Sequence, residues 1–260
     1  MQRPDCKTSM KIKLMKLRFS PTCCLVWVVM MSWLPCAPAY AADAPAASAP
    51  AVQRSAQLGA QLIVAAEAGD TAAVQRLLAA GAGVATRDAR GRTALLAATH
   101  ANQVAAARLL LDAGADVNLQ DDIQDSAFLY AGAEGRLEIL KLMLRPGAKS
   151  PPDFSVRNRY GGNALIPACH HGHVETVREL LKTRIDIDHV NNLGWTALLE
   201  TVILGDGGAR YVEITLLLLA RGANASIADR SGVTPLAHAR SRGHVEIVRL
   251  LERAIHPPGR

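Results

Sequence analysis

Apolar and polar positions divide the 260-residue chain into three stretches. The first contains an apolar run, Cys23–Leu34 (CCLVWVVMMSWL), with basic residues ahead of it. Small residues follow at Ala37-Pro38-Ala39 and Ala39-Tyr40-Ala41. The second, residues 42–57 (ADAPAASAPAVQRSAQ), is rich in Ala, Pro and Ser, has no apolar periodicity, and reads as a flexible tether. In the third, from Leu58, apolar groups return at regular intervals. Alanine and leucine, both good helix formers, supply most of this apolar content. The Val/Ile/Tyr/Phe runs that strands require are absent past residue 40. The expected fold class is therefore all-α.

The third stretch repeats. Thr93-Ala-Leu-Leu, Ser126-Ala-Phe-Leu, Asn163-Ala-Leu-Ile, Thr196-Ala-Leu-Leu and Thr234-Pro-Leu-Ala are one element, spaced by 33, 37, 33 and 38 residues. Five residues before each stands Asp88, Asp121, Asn158, Asn191 or Asp229. Glycine follows three positions later in all but one, where Gln124 stands. Gly-Asp, Gly-Arg or Gly-His turns (Gly69, Gly135, Gly172, Gly243) separate two helices per unit, and Leu-Leu pairs lie in the second helix. Gly81, Gly114, Gly147 and Gly222 end it, where a left-handed residue is needed. Thr234 is placed to cap a first helix, with Pro235 in its first turn.

This register resembles the ankyrin repeat, over residues 58–257. The resemblance implies a solenoid of stacked helix-turn-helix units with projecting hairpins, about six in number: 58–88, 89–121, 122–158, 159–191, 192–229 and 230–257. A single unit cannot bury its apolar face, so stacking makes the core. The first unit lacks a hairpin and is expected to cap the stack. Thr183-Arg184-Ile185 replaces the usual glycine phrase, predicting an irregular helix end. Extra residues fall around Lys149–Phe154 and Gly205–Arg210.

Charge and cysteine alter the picture mainly at the N-terminus. The net charge is +6, but Arg3, Lys7, Lys11, Lys13, Lys16 and Arg18 against Asp5 account for +5 of it. The remainder is nearly neutral and lacks the basic footprint that nucleic acid requires. A basic region, a short apolar run and an A-x-A site form an export signal over residues 1–41, cut near Ala41 or Ala42, with Ala39 as the alternative. The run is shorter than a membrane span needs. An uncleaved membrane anchor remains the competing reading. Cleavage would remove Cys6, Cys23, Cys24 and Cys36 and leave Cys169 alone, so a periplasmic or secreted fold without disulfides is expected.

Candidate chemistry is sparse. Cys169 adjoins His170 and His171, which suggests a thiol-dependent enzyme, but neighbouring helical residues diverge. Cys169 also occupies a small, buried register position. No enzyme activity, cofactor, metal site or small-molecule substrate is expected. The family resemblance instead implies a protein partner, met by hairpin tips and the exposed side of the first helices. Those positions are Arg90, Arg92, Arg159, Tyr160, His170, His171, Leu193, Trp195 and Arg230, and also His100, Asp122, Ile123, Asp125, Glu134, Ile203, Val233 and Arg242. Tyr160 and Trp195, in corresponding hairpin regions of adjacent units, form the expected centre, since aromatic and arginine side chains dominate interface hot spots. The expected function is a monomeric, exported protein-binding module. The alternative is an accessory that protects or regulates an exported enzyme or neutralises a toxin.

Overall fold

The computed structural model describes residues 49–256; the segment expected to be an export signal and the start of the expected tether lie outside them. Twelve helices and no strands occur among the described residues. They form consecutive pairs: α1 (Ala49–Ala68) with α2 (Thr71–Ala79), α3 (Ala94–His100) with α4 (Val104–Asp112), and α5 (Ala127–Ala133) with α6 (Leu137–Leu144). Then come α7 (Leu165–His170) with α8 (Val174–Leu180), α9 (Ala197–Leu204) with α10 (Ala209–Ala220), and α11 (Pro235–Ser241) with α12 (Val245–Ile255).

Each first helix packs on the next first helix, and each second helix on the next second helix. The core is thus a continuous ribbon, running from Leu62 through Leu95, Leu110, Ile139, Leu165, Leu180, Leu198 and Ile214 to Leu251. Small residues permit the approach: Ala97 and Ala98 are fully buried. A Cβ on Gly132 would lie 2.8 Å from the Ala164 Cβ.

Local chemistry sets each first helix. Thr93, Ser126, Thr196 and Thr234 accept a hydrogen bond from the backbone N–H three residues on, at Leu96, Leu129, Leu199 and Ala237. Asn163 Oδ1 accepts from the N–H groups of Leu165 and Ile166, two and three residues on. Ahead of each cap, the Asp or Asn side chain closes the hairpin turn. Asn191 Oδ1, for example, accepts from the N–H groups of Leu193 and Trp195. Successive hairpins are joined where the Asn192 N–H donates to Tyr160 O at 2.8 Å. Gln124 takes the glycine position in the left-handed region, with φ 64°.

One expectation changes. The segment expected to be tether is helical from Ala49, because α1 runs unbroken to Ala68. Its alanines favour helix, and Pro50 sits in the first turn, where no N–H is needed. The inserted stretch near Lys149–Phe154 is fixed to the preceding unit. Asp153 N donates to Asn118 Oδ1 at 2.8 Å, Ser150 Oγ donates to Asp116 at 2.8 Å, and Phe154 meets Phe128 edge-on. The second insertion serves packing too: Tyr211 just beyond it is buried and donates its hydroxyl to His170 O at 3.0 Å. The α8 end is irregular as its sequence suggests. Thr183 Oγ donates to Leu180 O at 2.6 Å and accepts from Ile185 N.

Candidate functional site

Within each first helix, the residues four, seven and eight positions beyond the cap share one face. Successive helices set these residues side by side, with the hairpin residues above them. In the middle of the stack they enclose a groove of about 530 Å³. Its floor and walls come from His100, Tyr130, Ala133 and Glu134, then Ile166, Pro167, His170 and His171, then Glu200 and Leu204. The hairpins contribute Ile123, Asp125, Asn158, Arg159, Tyr160, Gly162, Asn191 and Leu193.

Ile123, Tyr160 and Leu193 stand three residues before their caps in three successive units. They are about half exposed, at 51%, 52% and 49%. Together with Leu204 they make an apolar rim. Arg159 carries its guanidinium 4.9 Å from the Tyr160 ring centre and pairs with Asp125 at 3.4 Å. Burial pushes the Asp125 carboxyl above its ordinary value, an effect the Arg159 charge opposes. His100 stacks on Tyr130 with ring centres 3.8 Å apart. Burial holds the His100 imidazole below its ordinary value.

The inner wall carries a buried acid. Glu200 is 6% exposed; Asn191 Nδ2 donates to its Oε1 at 3.0 Å, and His170 Nδ1 lies 3.6 Å from Oε2. Burial raises the Glu200 carboxyl to about 7, with the Asn191 hydrogen bond opposing. Burial moves His170 the other way, below its ordinary value, and neighbouring His171 adds to this. Both shifts favour uncharged partners, so the contact is not an ion pair of full charges near neutral pH.

Of the residues expected at an interface, Arg159, Tyr160, His170, His171 and Leu193 meet in this groove, whereas Arg90, Arg92, Trp195 and Arg230 do not line it. Arg92 is buried and committed to Glu67 at 3.0 Å and Asp88 at 2.8 Å. Arg90 and Arg230 are exposed outside it. Trp195 is half-buried one position before its cap; in register with it stands Gly162, whereas Leu193 is the counterpart of Tyr160. The expected pairing of Tyr160 with Trp195 is therefore replaced by Tyr160 with Leu193.

Glu200 escaped the sequence reading, although a signal existed. It occupies a register held elsewhere by Ala97, Tyr130, Pro167 and His238, inside a helix that is otherwise apolar except for Thr201. In the last unit the same register gives His238, which bonds Asp229 at 2.8 Å, so that histidine serves the fold. Cys169 is fully buried on the neighbouring helix, and burial raises its thiol far above the ordinary cysteine value. It does not line the groove. A buried, protonated thiol is a poor nucleophile.

Paired helices stacked in one direction, with capped hairpins projecting over a groove, define a helical-repeat protein. The family model for ankyrin repeats (3 copies) matches residues 62–151 and 128–224. An ankyrin repeat domain from Acinetobacter baumannii is 52% identical, with a TM-score of 0.71, over 75% of this chain and 97% of that one. The ankyrin repeat protein EF0377 is 45% identical, with a TM-score of 0.71, over 74% of this chain and 96% of its own. The ankyrin repeat protein YahD of Escherichia coli is 46% identical over 101 residues, 38% of this chain. The chain spans half the length of YahD and smaller shares of three other curated relatives. This chain belongs to the ankyrin repeat family. Ankyrin repeat proteins generally mediate protein–protein interaction and are typically non-catalytic.

Proposed function

We propose that this chain is a non-catalytic interaction module, exported to the periplasm or outside the cell, that binds a protein partner through the central groove and its hairpin rim. One observation carries the binding site. Among the described residues, half of the large apolar side chains exposed at the surface (Ile123, Tyr160, Leu193 and Leu204) converge on this groove. Exposed apolar side chains gathered into one patch, rather than scattered, mark a contact surface. The export reading is supported by the basic start, the Cys23–Leu34 run and the Ala39-Tyr40-Ala41 site.

Replacing Tyr160 and Leu193 together by alanine tests the site. Partner co-purification is expected to fall tenfold or more, with unchanged helicity by circular dichroism; full retention would move the interface elsewhere. Mass spectrometry of the mature N-terminus tests export: a chain beginning near Ala42 or Asp43 is expected. A chain starting at Met1 in the membrane fraction would make it an anchored protein.

A further inference from the structure

Among the described residues the buried charged side chains are Arg92 and Glu200, and the fold treats them differently. Arg92 is neutralised by two carboxylates, Glu67 and Asp88. Glu200 has one donor, the Asn191 amide, and an imidazole that burial holds toward its neutral form. An ionised carboxylate buried without a cation is costly, and a stack built of alanine and leucine has no packing need for one. Glu200 nonetheless lines the groove that the apolar rim surrounds.

Apart from the imidazoles of His100, His170 and His171, of which burial holds the first two toward their neutral forms, the rest of the lining complements a cation. Carboxylates come from Asp125, Glu134 and Glu200; the only arginine or lysine is Arg159, already engaged by Asp125 and the Tyr160 ring. Two tyrosines line it as well, each with one face taken, Tyr130 by His100 and Tyr160 by Arg159; an aromatic face attracts cations. Leu193, Leu204 and the Tyr160 ring offer apolar surface of the kind that covers the methylene stem of a long basic side chain. We propose that the groove seats a lysine or arginine side chain of the protein partner, its cation against the Glu200 carboxylate and its stem along Leu193 and Tyr160. This inference rests on the interaction-module reading and specifies what the partner presents.

The test uses the full chain and its Glu200→Gln variant as baits for a displayed library of random 12-residue peptides. Selected peptides are then synthesised with each basic residue in turn replaced by norleucine, which keeps the stem and removes the charge. Peptides recovered on the wild type are expected to share a lysine or arginine whose replacement weakens binding about tenfold or more. That loss is expected to shrink to less than about threefold on the Glu200→Gln protein. Peptides that need Tyr160 and Leu193 but carry no shared basic residue, or that bind the Glu200→Gln protein equally well, would overturn the cation inference alone. Peptides that bind the Tyr160→Ala, Leu193→Ala protein as tightly as the wild type would overturn the groove itself. Glu200→Gln keeps the acceptor for Asn191, and thermal unfolding checks that the variant is folded.

Discussion

Replacing Glu200 by glutamine should make the protein more stable, and only above weakly acidic pH. The carboxyl is 7% exposed at the side chain, accepts one hydrogen bond from Asn191, and has its proton affinity raised to about 7 from the ordinary 4.5. The folded state therefore favours the protonated form. That preference stabilises the fold in full below about 4.5, fades as pH rises through about 7, and is gone above it. The interval corresponds to roughly 3 kcal/mol, at about 1.4 kcal/mol for each tenfold change in proton affinity. Glutamine resembles the protonated acid, with a carbonyl oxygen to accept from Asn191 and an NH2 in place of the OH, and cannot ionise. Urea denaturation at pH 4.5, 6 and 8 reads the effect. The two proteins should be alike at pH 4.5, and the variant should be more stable by up to about 3 kcal/mol at pH 8. Other groups lining the groove (Asp125, Glu134, Arg159, His100, His170 and His171) are common to both proteins, so the difference isolates Glu200 to the extent that they do not couple to it. His170, 3.6 Å away, is the coupled group, and a His170→Gln background removes it. A constant difference between pH 4.5 and 8 in that background would refute the buried-acid reasoning.

Three further outcomes follow from particular contacts. Thr196→Ala removes the hydroxyl that accepts from Leu199 N, in a fully formed cap, and should cost about 1 kcal/mol by chemical denaturation. Gln124→Gly should stabilise by roughly 1 kcal/mol, because Gln124 is exposed and held at φ 64°, where a Cβ is strained; an unchanged denaturation midpoint would count against that strain. Cys169 should resist iodoacetamide at pH 8 in the folded protein and react promptly in urea, since its thiol is fully buried and stays protonated. Rapid labelling of the native chain would return the thiol to candidate chemistry.

Much of this protein can be read from one dimension. The recurring Thr-Ala-Leu-Leu element, the Asp or Asn five residues earlier and the helix-ending glycines each act locally, through caps and turns that close within a few residues. Local hydrogen bonds need no knowledge of the rest of the chain, so the fold class and the burial of Cys169 were legible. The start of α1 was less so, because the proline-containing stretch before it lacks apolar periodicity and helix there reflects alanine propensity. The groove belonged to the tertiary structure. Arg92 and Arg159 look alike as hairpin arginines, yet Glu67, 25 residues away, draws Arg92 into burial while Arg159 stays on the surface with Tyr160. Tyr160 and Trp195 look alike as hairpin aromatics, but a difference of two positions in register puts Leu193, not Trp195, beside Tyr160. Glu200 looked like an ordinary polar residue on a helix until neighbouring helices closed over it. Sequence sets what each unit folds into; which side chains lose water, and so which charges become expensive, depends on the neighbours that stacking supplies.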